Sequence, residues 1–388
     1  MSTTPVMTAT AAHNLTAQCD WLSEENRTDA ASCLFLFVLP YGHTIPALIW
    51  MFVLLTVFSL LVNGFTLFGL GRSEDLSWEP RVAFFKNLIL SDLIQTVTFA
   101  PPIIHSLVQR RTMAFSVWCN VQYFVGCTSI FSSLFTVTCM ALERYLYVCH
   151  AIHYLVILTQ VRLRLALSLI WIYSITISAI NITLLHTGTE QKNDRVTRGL
   201  LCEPDTVEQH MGFPRASAVF RKVTGSFTLL LCLVVYALSY PRMYQYARKA
   251  MIPFNAVNTA ARKTVLFYCG MLFLQLLPLL LKSTSDALWE VEGTVAMTTL
   301  SSHSQGVLSA RAVPTATATA LHMSLLVVLL VPPCINPLVY GLRNVEMRQA
   351  LLRPFRWWMA ALRAEVRTGA RDVRQNGAQA REAELSGQ

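Results

Sequence analysis

Long apolar runs alternate with short polar or basic segments along most of the chain. A helix needs about 20 apolar residues to cross a hydrocarbon core of roughly 30 Å. Seven runs reach that length, at about 45–70, 82–107, 116–149, 165–186, 219–247, 262–282 and 319–342. The pattern predicts an all-α membrane protein whose core, 45–342, is a bundle of seven transmembrane helices. Pro101-Pro102, Pro278 and Pro337 should bend the second, sixth and seventh spans. The run from Cys33 to Leu39 is apolar but too short to cross.

Outside these runs the pattern changes. Residues 1–44 form a polar N-terminal tail with glycosylation sequons at Asn14 and Asn26. Residues 343–359 are basic and aromatic, with Trp357-Trp358, and predict an amphipathic helix lying at the interface. The Arg-rich remainder, 360–388, predicts a disordered tail. The loops 187–215 and 283–318 are long and polar.

Composition agrees with a membrane protein, since 54% of residues are hydrophobic and only 14% charged. The net charge of +9 gathers in the tail and in short loops, so it sets orientation and does not indicate nucleic acid as a partner. Placing the basic segments 242–263 and 343–374 inside puts the N-terminus outside, as seven crossings require. The N-terminus lacks a basic region followed by an apolar core, so the first span is expected to act as the insertion signal. Ten cysteines in 388 residues do not make a disulfide scaffold. Six of them, Cys127, Cys139, Cys149, Cys232, Cys269 and Cys334, fall within or at the ends of apolar runs and pack as small hydrophobes. Cys19, Cys33, Cys119 and Cys202 lie in segments placed outside, where oxidation is open to them.

Two charged features stand out against this apolar background. Glu143-Arg144-Tyr145 ends the third run, and an adjacent carboxylate and guanidinium can hold a latch, paired with each other or released toward a partner. Asp92 sits near mid-depth in the second span, where a carboxylate must be paired, protonated or ion-bound. Asn63-Gly64 in the first span suits close helix packing. Asn181-Ile182-Thr183 is a third sequon, too near the membrane for glycosylation to be expected. His105, His186 and His322 form no metal-ligand spacing, and no catalytic triad is visible, so no enzyme is expected.

Together these residues resemble a rhodopsin-like G-protein-coupled receptor. Glu143-Arg144-Tyr145 is similar to the family's acid-Arg-Tyr triplet, and Asn336-Pro337-Leu338-Val339-Tyr340 to its Asn-Pro-x-x-Tyr. Asn63, Asp92, Trp171 and Pro278 fall where their helices carry the family's typical residues. Within that group the chain resembles odorant receptors, fish-type ones most of all. Met140-Ala141-Leu142-Glu143-Arg144-Tyr145, Ser239-Tyr240 and the run from Pro333 to Glu346 carry that likeness. Glu143 in place of Asp, and His150-Ala151-Ile152-His153-Tyr154 in place of Pro-Leu-x-Tyr, depart from the odorant-receptor pattern.

The resemblance implies several assignments. Cys119, twenty-five residues before Arg144, would be bridged to Cys202. Glu143, Arg144, Tyr145, Tyr240, Asn336, Pro337 and Tyr340 would form the switch that couples to a heterotrimeric G protein. Asn63, Asp92, Ser133 and Asn336 would form a polar core, read either as a sodium site or as a water-filled hydrogen-bond network. The ligand walls would include Cys127, Ile130, Phe131, Leu276, Leu279 and Ser283. Gly126 stands where amine receptors carry their ligand-pairing Asp, and Leu330 where opsins carry the retinal lysine. A small organic odorant with cyclic-AMP signalling at the plasma membrane is therefore the leading expectation. A receptor for a peptide or lipid outside the nose is the alternative. A transporter or channel is remote, because neither paired membrane charges nor repeats are visible.

Overall fold

The computed structural model describes residues 44–71, 79–112, 116–186, 215–249 and 316–343, together with Phe35, Cys202 and scattered positions in 270–284 and 348–363. The long elements are α1 (Ile45–Gly71), α2 (Pro80–Gln109), α3 (Val117–Cys149), α4 (Gln160–His186) and α5 (Arg215–Lys249). Every described position between 270 and 284 is helical and is labelled α6; α7 is Ala316–Arg343. A single helical turn, Tyr154–Ile157, lies between α3 and α4. All of these but α6 and that turn contain a stretch long and apolar enough to cross a membrane. The helix expected at 343–359 falls mostly outside the described residues, but Arg348 and Met359 are helical.

Local chemistry sets the helix ends. Pro80 opens α2, where its missing N–H is one the helix would leave unbonded anyway. Arg110 closes it in the left-handed region at φ 52°, and the N–H of Arg111 bonds to the Ser106 carbonyl at 3.2 Å. Leu163, at the start of α4, donates its N–H to the Thr159 carbonyl, so this helix begins a turn earlier than the apolar run suggests.

The bundle is built around α3, which packs against α2, α4 and α5, while α7 packs on α1 and α2. Three layers stack along its axis. At the end carrying Glu143-Arg144, hereafter the triplet end, an apolar cluster joins Phe85, Leu88, Val137, Met140, Tyr236, Tyr240, Leu276 and Tyr340. Toward the Cys119 end a second cluster joins Ile45, Phe52, Phe99, Ile103, Leu326 and Leu330, with Phe35 of the N-terminal run fully buried against it. Between them lies a buried polar layer of Ser59, Asn63, Ser91, Asp92, Gln95, Thr96, Ser132, Ser133 and Asn336.

Proline explains part of that layer. Pro333 and Pro337 inside α7 lack the N–H groups that would bond to the carbonyls of Leu329 and Pro333. Amides from neighbouring helices take over: Gln95 Nε2 donates to the Leu329 carbonyl at 2.7 Å and Asn63 Nδ2 to the Pro333 carbonyl at 2.8 Å. Backbone groups freed inside a membrane bundle must find such partners, because no solvent is there to supply them. Two carbonyls left free by the α7 prolines are thereby tied to α2 and α1.

Candidate functional site

Asp92 is the carboxylate at the centre of the polar layer, buried and doubly bonded. Its Oδ1 accepts from Ser133 Oγ on α3 at 3.3 Å, and its Oδ2 from Asn336 Nδ2 on α7 at 2.8 Å. Asn63 makes no hydrogen bond to this carboxylate; its Nδ2 serves Ser59 and Pro333, and its Oδ1 is buried without a partner. The link from α1 runs through hydroxyls, Ser59 to Thr96 at 2.8 Å and Thr96 to the Asp92 carbonyl at 2.8 Å. A second chain extends to α4: Trp171 Nε1 donates to Asn87 Oδ1 at 2.7 Å, and Asn87 Nδ2 to Thr136 Oγ1 at 2.7 Å. Ser91 and Ser132 bond beside it at 2.9 Å. Gln95, Asn87 and Thr96 were not singled out from sequence; a polar residue in a half-buried helix gives no signal until the opposing proline or tryptophan is placed.

At the triplet end the structure differs from a latch closed within Glu143-Arg144. The Glu143 carboxylate is buried, and its Oε1 accepts the Tyr154 hydroxyl at 2.7 Å and faces Arg81 Nε at 3.7 Å. Arg144 instead places its guanidinium over the Tyr340 ring, 5.2 Å from the centroid. The physical reason is reach: adjacent residues on a helix diverge by about 100°, so their side chains do not face each other. Arg81 also stacks on Tyr147 at 4.8 Å, and Tyr147 meets Tyr154 edge-on at 5.3 Å. The four side chains form one cluster joining the start of α2, the end of α3 and the turn after it. Burial, then the bond to Glu143, push the Tyr154 phenol above its ordinary range.

The remaining switch residues occupy separate places. Tyr240 stacks on Tyr236 at 5.3 Å, and the Tyr236 hydroxyl donates to the Val137 carbonyl at 3.1 Å. Tyr145 lies edge-on to His150 at 5.7 Å, along its own helix end. Asn336 belongs to the Asp92 site, and Pro337 stands beside it inside α7. Arg81 and Tyr154 carry interactions that sequence reasoning missed, and the one available hint was an arginine at the mouth of an apolar span.

At the opposite end Cys119 and Cys202 are joined by a disulfide with Cα atoms 5.3 Å apart. Asn181 ties three helices there, donating to the Tyr123 hydroxyl at 2.7 Å and accepting from Ser217 Oγ at 3.2 Å. Its amide is thus engaged on both sides by neighbouring helices. Gly126 is buried, and a Cβ built there would overlap the Phe99 ring. Cys127, Ile130 and Phe131 are half-buried on α3, whereas Leu276 is buried in the triplet-end cluster. Leu279, Ser283, Asn14 and Asn26 lie outside the described residues.

A membrane bundle with a carboxylate at mid-depth, a triplet at one end and a bridge at the other defines the class, and residues 62–340 match the 7 transmembrane receptor (rhodopsin family). The chain belongs to that family, and it is therefore a multi-pass plasma-membrane receptor and not an enzyme. Among its relatives, olfactory receptor 1D2 of Pongo pygmaeus is 23% identical over 84% of this chain and 95% of its own length. Olfactory receptor 2G3 of Homo sapiens is 22% identical over 79% of this chain and 90% of its own. The histamine H2 receptor of Rattus norvegicus is 26% identical over a shorter stretch, 47% of this chain and 48% of its own.

Proposed function

We propose that this protein is an odorant receptor, with its N-terminus outside, that binds a small organic ligand between the outer helix halves and activates a heterotrimeric G protein to raise cyclic AMP. The observation that carries the odorant assignment is similarity to olfactory receptors along nearly their whole length. The histamine relationship spans half the chain, and Gly126, with Phe99 filling its space, offers no carboxylate to pair an amine.

A ligand shifts an equilibrium only by its differential affinity for two states. The two states are read here at the triplet end. In one, Glu143 is held by Tyr154 and Arg81 while Arg144 lies over Tyr340; in the other, Arg144 leaves Tyr340 and engages Tyr240 or the G protein. The α7 carbonyls tied to α1 and α2 connect this end to the Asp92 layer. Asp92 is proposed to hold a sodium ion, because a carboxylate and the Ser133 hydroxyl are hard oxygen donors of the kind that suit such cations.

The test is expression with an N-terminal tag, an odorant mixture and a cyclic-AMP readout, with Arg144→Ala as control. A response that disappears in Arg144→Ala while surface staining persists is expected. A full response in that variant removes Arg144 from its role. Replacing external sodium by choline should shift agonist potency in the wild type but not in Asp92→Asn; equal shifts in both would dismiss the ion.

A further inference from the structure

The apolar run from Cys33 to Leu39 is too short to cross a membrane, yet one of its rings enters the bundle. Phe35 is helical and has 0% of its surface exposed. A large ring in a polar tail reaches that burial only inside a cavity that other elements provide. Three helices provide it here. Phe52 of α1, Phe99 and Ile103 of α2, and Leu326 and Leu330 of α7 form one buried cluster with Phe35. Ile130 of α3, one of the residues expected to wall a ligand, packs against the same cluster.

A chamber that encloses a benzyl group on apolar side chains is a binding site for such a group, whichever molecule carries it. Its walls select by shape and dispersion, because the cluster is made of aliphatic and aromatic side chains. The chamber also borders the polar layer. Leu329 of α7 packs against the cluster, and its carbonyl is the one that Gln95 of α2 holds. What fills the chamber therefore bears on α7 where that helix is tied to α2. Phe35 stands only ten positions ahead of Ile45, which opens α1 and belongs to the same cluster. A group on so short a tether competes with free molecules at an effective concentration on the order of mM. A site filled in this way lowers the apparent affinity of a ligand by the fraction of time that it stands open.

We propose that Phe35 is a tethered occupant of the chamber at the Cys119 end, and that the ligand is a small aryl compound, a benzene ring with a short apolar substituent, which takes the place of this ring among α1, α2 and α7. This assignment rests on the receptor reading above and names its ligand class. The chemistry that the site accepts is that of the side chain it already holds. Truncating the ring leaves a dry apolar cavity, of the kind that takes up benzene-sized molecules. A charged amine or carboxylate would lose its hydration there and find no partner in the cluster.

Binding and signalling are read separately. Full-length receptor in lipid nanodiscs is heated with toluene or ethylbenzene, and with benzylamine or benzoate for comparison. Nucleotide exchange on a G protein is measured in parallel. Phe35→Ala should lower Tm, because a buried cluster loses a ring. Toluene and ethylbenzene should restore it at concentrations roughly tenfold or more below those that move the wild type. Benzylamine and benzoate should not. Phe68→Ala removes the same ring from an exposed face of α1 and should respond as the wild type does, which accounts for aryl compounds taken up by the lipid. Phe35→Leu opens a smaller hole and should fall between; it serves if Phe35→Ala does not accumulate. A Phe35→Ala receptor as stable as the wild type, aryl compounds acting alike on Phe35→Ala and Phe68→Ala, or equal rescue by benzylamine and benzoate would each overturn the assignment. Rescue of Tm by toluene with nucleotide exchange unmoved by any aryl compound would keep the site and defeat the receptor reading instead.

Discussion

Glu143 takes its partners from outside its own helix, not from the neighbouring Arg144, and that choice bears on signalling. Tyr154 and Arg81 hold the carboxylate toward the turn after α3, while Arg144 rests on Tyr340. A hydrogen bond to a charged group contributes about 1.5–3 kcal/mol, enough to bias a receptor equilibrium by about tenfold to a hundredfold. Tyr154→Phe and Arg81→Gln should therefore each lower agonist-independent nucleotide exchange several-fold, and adding Glu143→Gln should restore it. Raised exchange in either single variant would show that the cluster restrains the receptor instead. The raised phenol pKa gives the pH sign. The neutral hydroxyl is the bonded form, so its contribution is complete below the ordinary tyrosine value of about 10 and is lost only as pH climbs past it. The ratio of Tyr154→Phe to wild-type exchange should accordingly stay flat between about pH 6 and 8. Asp92 and the triplet were legible in the sequence because a charge in an apolar run is conspicuous. Tyr154 was not, because its role depends on a chain reversal that brings residue 154 back to residue 143.

At the scale of the helix, α7 shows how a proline-rich segment survives without water. Pro333 removes the donor for the Leu329 carbonyl, and Gln95 of α2 supplies another. Gln95→Leu should leave that carbonyl buried and unbonded at a cost of about 1–3 kcal/mol, visible as a lower Tm in detergent. Pro333→Ala returns an N–H to the helix, so the loss should shrink sharply in the double variant; an undiminished loss would mean Gln95 stabilises by packing alone. The helices themselves could be read from hydrophobic runs to within a few residues at most ends. The start of α4 could not, because Arg162 and Arg164 interrupt the apolar run while the backbone continues as helix through them.

For the whole molecule, the two apolar clusters and the polar layer between them give the bundle a stiff lower frame and a second frame held by the disulfide. Cys119→Ser or Cys202→Ser should block surface expression, since the bridge fixes the loop to the top of α3. Normal surface staining under non-reducing conditions would assign the bridge a local role. The layered plan was only partly visible beforehand: Asn63, Asp92, Ser133 and Asn336 marked the polar layer, but its continuity through Ser59, Thr96 and Gln95 required three helices to be placed together. The pocket end was the least legible, because half-buried apolar residues such as Ile130 and Phe131 look the same in a sequence whether they meet a ligand or a neighbouring helix.

Asn63 is followed by Gly64, the pairing in which an asparagine most readily ages to aspartate: the next backbone nitrogen attacks the side-chain amide, ammonia leaves, and water opens the resulting cyclic imide. In the folded bundle that nitrogen is committed to helix and the amide is tied to Pro333, so the reaction has no geometry. A chain waiting unfolded has no such protection. An aspartate at that position would bring no N–H to the Pro333 carbonyl, and α7 would lose that tie to α1. The receptor would thus carry a chemical clock that runs only before assembly, with prompt insertion into the bundle as the event that stops it.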